Sequence, residues 1–199
     1  MIEITNLEKS EPYNKFLNFY QMASDIGQEN IEVINISSYN KNLNEVHSRF
    51  VNLKYIYSNQ WTFFSNYNSL KSKDFTSHNQ ISVALYWPKI NIQIRISATI
   101  SQSDPLLSDK HFYKRELDKN ALAISSYQSR KIESYRDVQK MYNSVLLDTN
   151  QKLNRPDYWG GYSFVPYCFE FWEGHEHRIN KREAYKMEDG IWSKYYLQP

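Results

Sequence analysis

The chain has 199 residues, a mass of 23.9 kDa and a net charge of +2 from 24 basic and 22 acidic residues. This length suits one domain with a sizeable core, so we take residues 1–199 as a single domain. The charges are spread along the chain, and nothing in the composition calls for nucleic acid as a partner.

Cysteine usage and hydropathy restrict the class of protein further. Cys168 is the one cysteine, which excludes an internal disulfide, and we interpret it as a small apolar residue in a strand. The Cys and His spacings do not match a zinc site, so no metal is expected. Residues 1–10 lack the basic start and apolar run of a signal peptide, and no stretch approaches the roughly 18 apolar residues of a membrane helix. We expect a cytoplasmic protein without a membrane segment.

The first hundred residues predict a helix followed by a sheet. Residues 1–10 form a polar segment that we expect to be a flexible arm. Apolar residues at three-to-four spacing predict an amphipathic helix from about Glu11 to Ile26. Five short runs rich in β-branched and aromatic residues then predict an antiparallel sheet or barrel: 31–36, 49–56, 61–65, 81–87 and 90–100.

The second half alternates helices and strands. Ser103, Asp104 and Pro105 predict the start of a helix that runs to about Arg115, because Ser or Asp caps a helix and Pro suits its first turn. Further helices are predicted at 120–125 and 135–147. The polar segment 148–158 is a predicted loop, since it contains Pro156. Three strands are predicted to follow: 162–172, 177–187 and 191–196.

Several cations lie within or beside predicted strands, where a single basic residue usually marks the solvent face. Arg49 and Lys54 bracket a strand that contains Val51 and Leu53, and Arg178 and Arg182 bracket a later pattern. Arg binds phosphate through two hydrogen bonds and Lys acts as a point charge. If several of these cations converge on one dry sheet face, they would form an anion site. The candidates are Arg49, Lys54, Lys71, Arg95, Arg115, Arg178 and Arg182.

The last forty-odd residues carry three motifs: Arg-Pro-Asp-Tyr-Trp-Gly-Gly-Tyr at 155–162, Glu-Phe-Trp-Glu-Gly at 170–174 and Arg-Ile-Asn-Lys-Arg at 178–182. They resemble the C-terminal signature of the pyridoxamine 5'-phosphate oxidase family. With the register from Arg49 to Ser129, the resemblance covers about four fifths of the chain. It implies a mainly β fold with flanking helices, an FMN-binding split β-barrel, and a homodimer with FMN at the interface. Residues 155–199 would then be the dimerisation and active-site segment.

The resemblance also implies which residues bind FMN. Arg49 begins the segment that matches the family's flavin strand, and Phe64 and Ser65 stand where the family has an aromatic residue and Thr. Lys71 matches a phosphate-contacting lysine, whereas Leu70 replaces the arginine that normally precedes it, so the phosphate site loses one cation. The full implied FMN set is Arg49, Phe50, Val51, Asn52, Phe64, Ser65, Lys71, Gln93, Gln128, Ser129, Trp172 and Arg182.

The implied substrate site departs further from the family. Lys54 and Arg115 match cations that hold the substrate phosphate, and Arg178 matches an arginine beside the substrate ring. His111 replaces a family Tyr and Lys119 a family Ser. In the last motif Asn180 replaces His, and Lys181 replaces Asp. The added positive charge favours an anion, while Asn180 can hydrogen-bond but cannot take up a proton as His does.

In this family a substrate carbon gives a hydride to the flavin and O2 reoxidises it, so no side chain is assigned as a general base. Three functions follow as hypotheses. The first is oxidation of pyridoxamine or pyridoxine 5'-phosphate to pyridoxal 5'-phosphate. The second is a paralogous oxidase of another small anionic substrate, such as a reduced phenazine carboxylate precursor. The third is a flavin- or vitamer-binding protein without turnover.

Two other motifs are given structural interpretations. Trp159-Gly160-Gly161 precedes a predicted strand and lacks the full glycine pattern of a phosphate loop. His175 and His177 flank Glu176 without further metal ligands nearby in the sequence, and we interpret both as turn residues.

Overall fold

The computed structural model describes residues 1–147 and 154–199. Within these ranges the chain forms the following helices and strands: β1 Glu3–Thr5, α1 Glu11–Asp25, β2 Val33–Asn40, β3 Glu45–Asn52, β4 Tyr55–Tyr57, β5 Gln60–Asn66, α2 Leu70–Ser77, β6 Gln80–Trp87, β7 Ile92–Gln102, α3 Pro105–Lys114, α4 Leu117–Ser125, α5 Tyr135–Leu147, β8 Trp159–Glu173, β9 Lys181–Glu188 and β10 Ile191–Leu197.

In these described ranges all ten strands belong to one mixed sheet, with the main order β1-β4-β5-β8-β7-β6-β2-β3. Only β1 and β4 pair in parallel; the other pairs are antiparallel. The sheet branches at β8. The first part of β8 pairs with β5 at 159–164, and its last part pairs with β9 at 168–173, while β7 runs along nearly the whole strand. One long strand therefore joins two parts of the sheet.

The core lies between the sheet and α1. Every second residue of β7 is buried from Ile92 to Ile100, as expected for a strand with one face against a core. Pro12 occupies the first turn of α1, where proline is tolerated. The buried face of α1 includes Phe16, whose ring lies 4.4 Å from that of Trp61. The many aromatic residues thus build the core.

Three predictions of local structure were wrong. The expected flexible arm contains β1: Ile2 is 7% exposed, and the amide of Glu3 donates to the carbonyl of Lys54 at 2.9 Å. The predicted strand 49–56 is interrupted at Leu53 and Lys54. The pairing of β3 with β2 ends at Asn52, and the amide of Lys54 donates instead to the carbonyl of Thr62 in β5. The predicted strand 177–187 begins only at Lys181, after a turn.

Two further elements bear on the site. Helix α2 was not predicted, because its sequence offers only Leu70 and Phe75 as large apolar residues. Of the predicted loop 148–158, residues 148–153 lie outside the described residues, and 154–158 form no helix or strand. In the described part of the chain, the helices are too short or too polar to cross a bilayer.

Candidate functional site

A cleft of about 510 Å³ lies where the end of β3, β5, α3, α4 and the start of β8 meet. Most of the residues predicted for FMN, and four of the six predicted for the substrate, line it. The lining residues are Phe50, Val51, Asn52, Lys54, Phe64, Ser65, Lys71, His111, Lys114, Arg115, Glu116, Lys119, Gln128 and Trp159.

Lys71 supplies a buried cation at one end of the cleft. Its ammonium donates to the hydroxyls of Ser65 at 3.1 Å and Ser69 at 3.4 Å. Burial, aided by the nearby Arg49 guanidinium, lowers the pKa of Lys71 to about 8. A buried ammonium held by neutral hydroxyls can accept an anion as its counter-ion.

The predicted residues Gln128 and Ser129 approach this same end. The Gln128 amide oxygen accepts from the Ser65 hydroxyl at 3.3 Å, and the Ser129 hydroxyl accepts from the Leu70 amide at 3.3 Å. Leu70 begins α2 and is exposed. The structure thus brings these predicted FMN residues together around the start of a helix, where backbone amides favour negative charge.

Arg49 is held from behind by a buried carboxylate. Its guanidinium donates to Asp74 at 3.0 Å and to the Ser38 hydroxyl at 2.6 Å. Asp74 is fully buried, which by itself would raise the pKa of its carboxyl, but hydrogen bonds from Ser38, Asn40 and His47 lower it overall. Asp74 therefore stays charged and fixes Arg49. Sequence analysis missed Asp74, because α2 was not predicted.

Arg115 and Lys54 supply a second group of cations to the same cleft, which we call its Arg115 end. The Arg115 guanidinium lies 4.5 Å above the Trp159 ring and donates one hydrogen bond, at 2.9 Å, to the carbonyl of Lys119. Its other terminal nitrogen is buried and has no hydrogen-bond partner within the described residues. Lys119 is exposed and pairs with Glu116 at 2.6 Å. Arg115 therefore keeps a free donor, whereas the charge of Lys119 is partly neutralised.

His111 is the flat group between these cations. Its ring stacks on Phe64, with centroids 3.8 Å apart and planes 9° apart, and its Nδ1 lies 2.8 Å from the hydroxyl of Tyr55. Burial lowers the pKa of His111 to about 4, and Arg115, Lys54 and Lys114 lower it in the same direction. His111 is therefore neutral at pH 7.

Trp159 is the clearest lining residue that was not predicted for the site, although it belongs to a motif that was recognised. Arg155 positions it, donating to the Trp159 carbonyl at 2.7 Å and to Asp109 at 2.6 Å. The glycines that follow are needed for close packing: a side chain at Gly160 would lie within 2.1 Å of the Tyr67 hydroxyl.

The remaining predicted residues lie elsewhere. Gln93, Trp172 and Arg182 form one row across β7, β8 and β9, since Trp172 is in register with both of the others. Arg178 and Asn180 belong to the turn that precedes β9. Trp159 and Trp172 are thirteen residues apart on β8, which corresponds to roughly 40 Å of strand. Within one protomer the predicted site is therefore divided into a cleft and a distant row.

Arg182 and Asn180 already have partners in their own chain. Arg182 donates to the Glu170 carboxylate at 2.9 Å and to the carbonyl of Gln198 at 2.9 Å. The Asn180 amide oxygen accepts from the backbone amide of His175 at 3.1 Å and so braces the turn. Arg178 is exposed, with a left-handed φ of 59°. Local contacts thus hold Arg182 and Asn180, and the residues of this turn and row do not line the cleft of about 510 Å³.

Comparison with known sequences finds one family throughout. Residues 159–199 match the family model described as the pyridoxine 5'-phosphate oxidase C-terminal dimerisation region. The chain is 32% identical over 198 residues to a pyridoxine/pyridoxamine 5'-phosphate oxidase from Vesicomyosocius okutanii, covering 98% of this chain and 91% of the relative. It is 30% identical over 152 residues to the enzyme of that name from Thermosynechococcus vestitus, covering 76% and 72%.

Solved structures confirm the fold prediction. PhzG from Burkholderia lata, in complex with tetrahydrophenazine-1-carboxylic acid, superposes with a TM-score of 0.90 at 23% identity, covering 96% of this chain and 93% of that one. A pyridoxamine 5'-phosphate oxidase-related, FMN-binding protein from Nostoc punctiforme gives a TM-score of 0.77 at 12% identity, covering 96% and 100%. At these identities the likeness establishes a mainly β fold of this type with flanking helices.

Proposed function

The chain belongs to the pyridoxine/pyridoxamine 5'-phosphate oxidase family, and on that premise we propose that it oxidises pyridoxamine or pyridoxine 5'-phosphate to pyridoxal 5'-phosphate with FMN and O2. The family establishes a flavin-dependent oxidase. The observation that carries the finer assignment is one cleft lined by two anion-binding groups with separate partners, Lys71 beside Ser65 and Arg115 beside Trp159. Two anion sites suit two phosphates, one from the cofactor and one from the substrate.

The residues at the Lys71 end fit the FMN phosphate. The fit rests on a buried ammonium whose nearest partners are the hydroxyls of Ser65 and Ser69, because Asp74 pairs instead with Arg49 and His47. In this proposal Lys71 and Ser65 would hold the phosphate with Ser129 and Arg49, and Phe50, Val51 and Asn52 would contact the flavin ring. When bound, FMN supplies the hydride acceptor and the route for reoxidation by O2.

The Arg115 end would hold the phosphate of the substrate. The buried guanidinium nitrogen without a partner in the described residues provides the donor, and Lys54 adds a second cation. Fixing the phosphate here orients the substrate along the cleft toward the FMN site, so the protein contributes positioning rather than a side-chain base. The ring of Trp159 keeps Arg115 in place from below.

We propose that the working unit is a homodimer in which each cleft is completed by the row Gln93, Trp172 and Arg182 and by Arg178 and Asn180 of the partner subunit. The support is the length of β8, which separates the two groups within one protomer, and the family assignment of 159–199 as a dimerisation region. A symmetric dimer would bring both ends of β8 to each of two equivalent sites.

Anaerobic mixing of FMN-loaded protein with pyridoxamine 5'-phosphate tests the function directly. We expect the flavin absorbance near its long-wavelength maximum to bleach, and pyridoxal 5'-phosphate to appear in proportion when air is admitted. Bleaching by a reduced phenazine carboxylate but by neither vitamer would identify the paralogous oxidase. Oxidised flavin that persists with every donor would indicate a binding protein, and a protein that takes up no FMN would overturn the proposal.

The paralogous oxidase is a second candidate because of one observation. The substrate end is lined by the parallel rings of Phe64, His111 and Trp159, where the family has Tyr at position 111. Parallel rings offer a flat apolar face to a larger aromatic acid, while Arg115 and Lys54 accept a carboxylate as readily as a phosphate. This candidate predicts a higher kcat/KM for a tricyclic carboxylate than for the vitamers.

A further inference from the structure

We propose that Tyr55 and His111 act together as a substrate-positioning pair, in which Tyr55 fixes the imidazole and His111 takes up one proton from solvent when an anion binds beside Lys54 and Arg115. This inference deepens the proposed function and rests on its assignment of the Arg115 end of the cleft. Tyr55 does not line the cleft itself, so it acts through His111.

The geometry fixes the imidazole on two sides. Phe64 stacks against one face of the ring at 3.8 Å, and the Tyr55 hydroxyl binds Nδ1 at 2.8 Å with its own ring perpendicular to that of His111. The imidazole therefore has little freedom to rotate. Its Nδ1 is used within the protein, which leaves Nε2 as the nitrogen available to a ligand.

The charges around His111 favour its neutral form while the cleft holds no anion. It faces Lys54 from the segment after β3, Tyr55 from β4, Phe64 from β5, Trp159 from β8, and Lys114 and Arg115 from its own helix and its end. Glu3 lies 3.9 Å from the Lys114 ammonium, and Glu116 is paired with Lys119, so neither carboxylate is committed to the imidazole. Three cations without an intervening anion oppose a fourth positive charge.

A bound anion reverses this balance. A doubly charged phosphate or sulfate between Lys54 and Arg115 would offset the two cations that act on the imidazole, and it would favour the imidazolium, whose Nε2–H donates to the anion. Tyr55 permits the change without moving, because a hydroxyl can donate to the neutral Nδ1 and can accept from the protonated one. With Tyr55 donating to Nδ1, the neutral imidazole already donates from Nε2; the second proton enters at Nδ1 and gives the ring a positive charge only when an anion is present.

This arrangement suggests what the exchange of a family Tyr for His111 changes: how hydrogen-bond donation to the ligand depends on pH. A tyrosine donates a hydroxyl proton to the ligand at any pH below about 10, whereas a histidine with this environment donates two protonated nitrogens only after binding. The site should therefore prefer doubly charged anions over singly charged ones more strongly as the pH falls, since only the former supply enough charge to draw the proton in.

Sulfate is a suitable probe because it stays doubly charged across the range of the titration. We would follow the imidazole resonances of FMN-loaded protein by NMR from pH 4 to pH 8, with and without saturating sulfate, and assign His111 by comparison with His111→Gln. We expect sulfate to raise the pKa of His111 from about 4 to between about 5 and 6. The sulfate affinity should rise correspondingly, by about two- to tenfold, between pH 7.5 and pH 5.

Two variants separate positioning from general stability. Tyr55→Phe removes the acceptor for the protonated Nδ1, so we expect it to reduce the sulfate-induced pKa rise by at least half and to raise KM for the substrate phosphate more than it lowers kcat. Tyr57→Phe, two residues along β4 with an exposed ring, is the matched control and should leave the rise unchanged. His78→Gln should likewise leave the affinity profile intact.

An unchanged pKa of His111 in saturating sulfate would overturn the proposal, as would a failure of sulfate to bind or an equal response in Tyr55→Phe and wild type. The readout is a chemical shift and needs no turnover. Failure of the proposed oxidase function would appear separately, as flavin that does not bleach, and would not by itself alter this titration.

Discussion

The guanidinium of Arg49 lies 3.0 Å from the carboxylate of Asp74, which is fully buried near the Lys71 end of the cleft. Because Asp74 also accepts from Ser38 and Asn40, it fixes the position of Arg49 before any ligand arrives. A cation already held in place loses less conformational entropy when it binds a phosphate.

Replacing Asp74 with Asn should therefore weaken FMN binding by roughly tenfold. A charge-assisted hydrogen bond contributes about 1.5–3 kcal/mol, and only part of this free energy affects FMN binding, through the position of Arg49. The measurement is FMN fluorescence quenching during titration of FMN-free protein. Asp137→Asn on the exposed side of α5 is the control. If Asp74→Asn lowered the melting temperature without changing the FMN Kd, the role of Asp74 would be structural alone.

FMN affinity should depend on pH through Lys71. In the FMN-free protein the pKa of Lys71 is lowered to about 8, so the ammonium is charged below that pH and loses its proton above it. Because the phosphate binds the charged form, affinity should be level between pH 6.5 and 7.5 and fall by up to about tenfold per pH unit above pH 8. Lys71→Met should bind FMN weakly at all these pH values. A wild-type profile that stays flat to pH 9.5 would contradict the assignment.

Leu70→Arg should tighten FMN binding by several-fold. Leu70 is exposed at the start of α2, and its amide donates to the hydroxyl of Ser129, so an arginine there reaches the same anion site without burial. An added cation in partly exposed surroundings contributes about 0.3–1 kcal/mol. Lys73→Arg, on an exposed turn of the same helix, serves as the comparison. Weaker binding by Leu70→Arg would argue against a phosphate at this end.

Mixed dimers test whether each site uses two chains. Lys54→Met removes a cation of the cleft and Arg178→Ala removes one from the distant turn, and each homodimer should be nearly inactive. Random mixing makes half of all dimers heterodimeric, and each of those has one site with both defects and one with neither, so activity should recover to about a quarter of wild type. No recovery, with heterodimers demonstrated by mass, would place both residues in one chain's site.

Asn180→His should raise kcat/KM for the vitamers, because His restores a ring that can take up a proton beside the substrate. Steady-state peroxide production is the measurement, with FMN kept saturating. The Asn180 amide oxygen also accepts from the backbone of His175, so a parallel Asn180→Ala variant shows how much activity is lost by loosening the turn. A lower rate in Asn180→His than in Asn180→Ala would indicate a pocket built for another ligand.

Glu183 should contribute to stability in a pH-dependent manner. It is buried between Lys15 at 3.0 Å and Lys194 at 3.3 Å, and although burial would raise the pKa of its carboxyl, hydrogen bonds from Tyr185 and Lys15 bring that pKa down to about 2. A lowered carboxyl pKa stabilises the fold above the unfolded value of about 4.5, and this stabilisation is lost as the pH falls toward 2. Glu183→Gln should therefore unfold more easily in urea at pH 7, by roughly 3 kcal/mol, and differ little at pH 2.5. Equal differences at both pH values would show that the charge is unimportant.

Sequence reasoning predicted the sheet and the long helices because their apolar residues repeat at the spacing of buried strands and helix faces, as in β7 and α1. It missed α2, whose buried side is mostly polar, and with it Asp74. It recovered cleft residues such as Phe64, Lys71 and Arg115 through family resemblance. The sequence could not show which predicted residues share the cleft of one protomer, because that depends on the length and pairing of β8. It also could not show the contact between Tyr55 and His111, which are 56 positions apart.

The carboxylate of Glu11, at the start of the first helix, accepts from the hydroxyl of Tyr185 near the end of the chain, 174 positions later. Lys15 reaches Glu183 over a similar separation. A nascent chain can pack the apolar face of this helix on the early strands, but the charged partners of Glu11 and Lys15 lie at the end of β8 and in the last hairpin, which are synthesised last. Contacts of such long sequence separation form slowly, so we expect the final rate-limiting step of folding to be the docking of this hairpin on the helix.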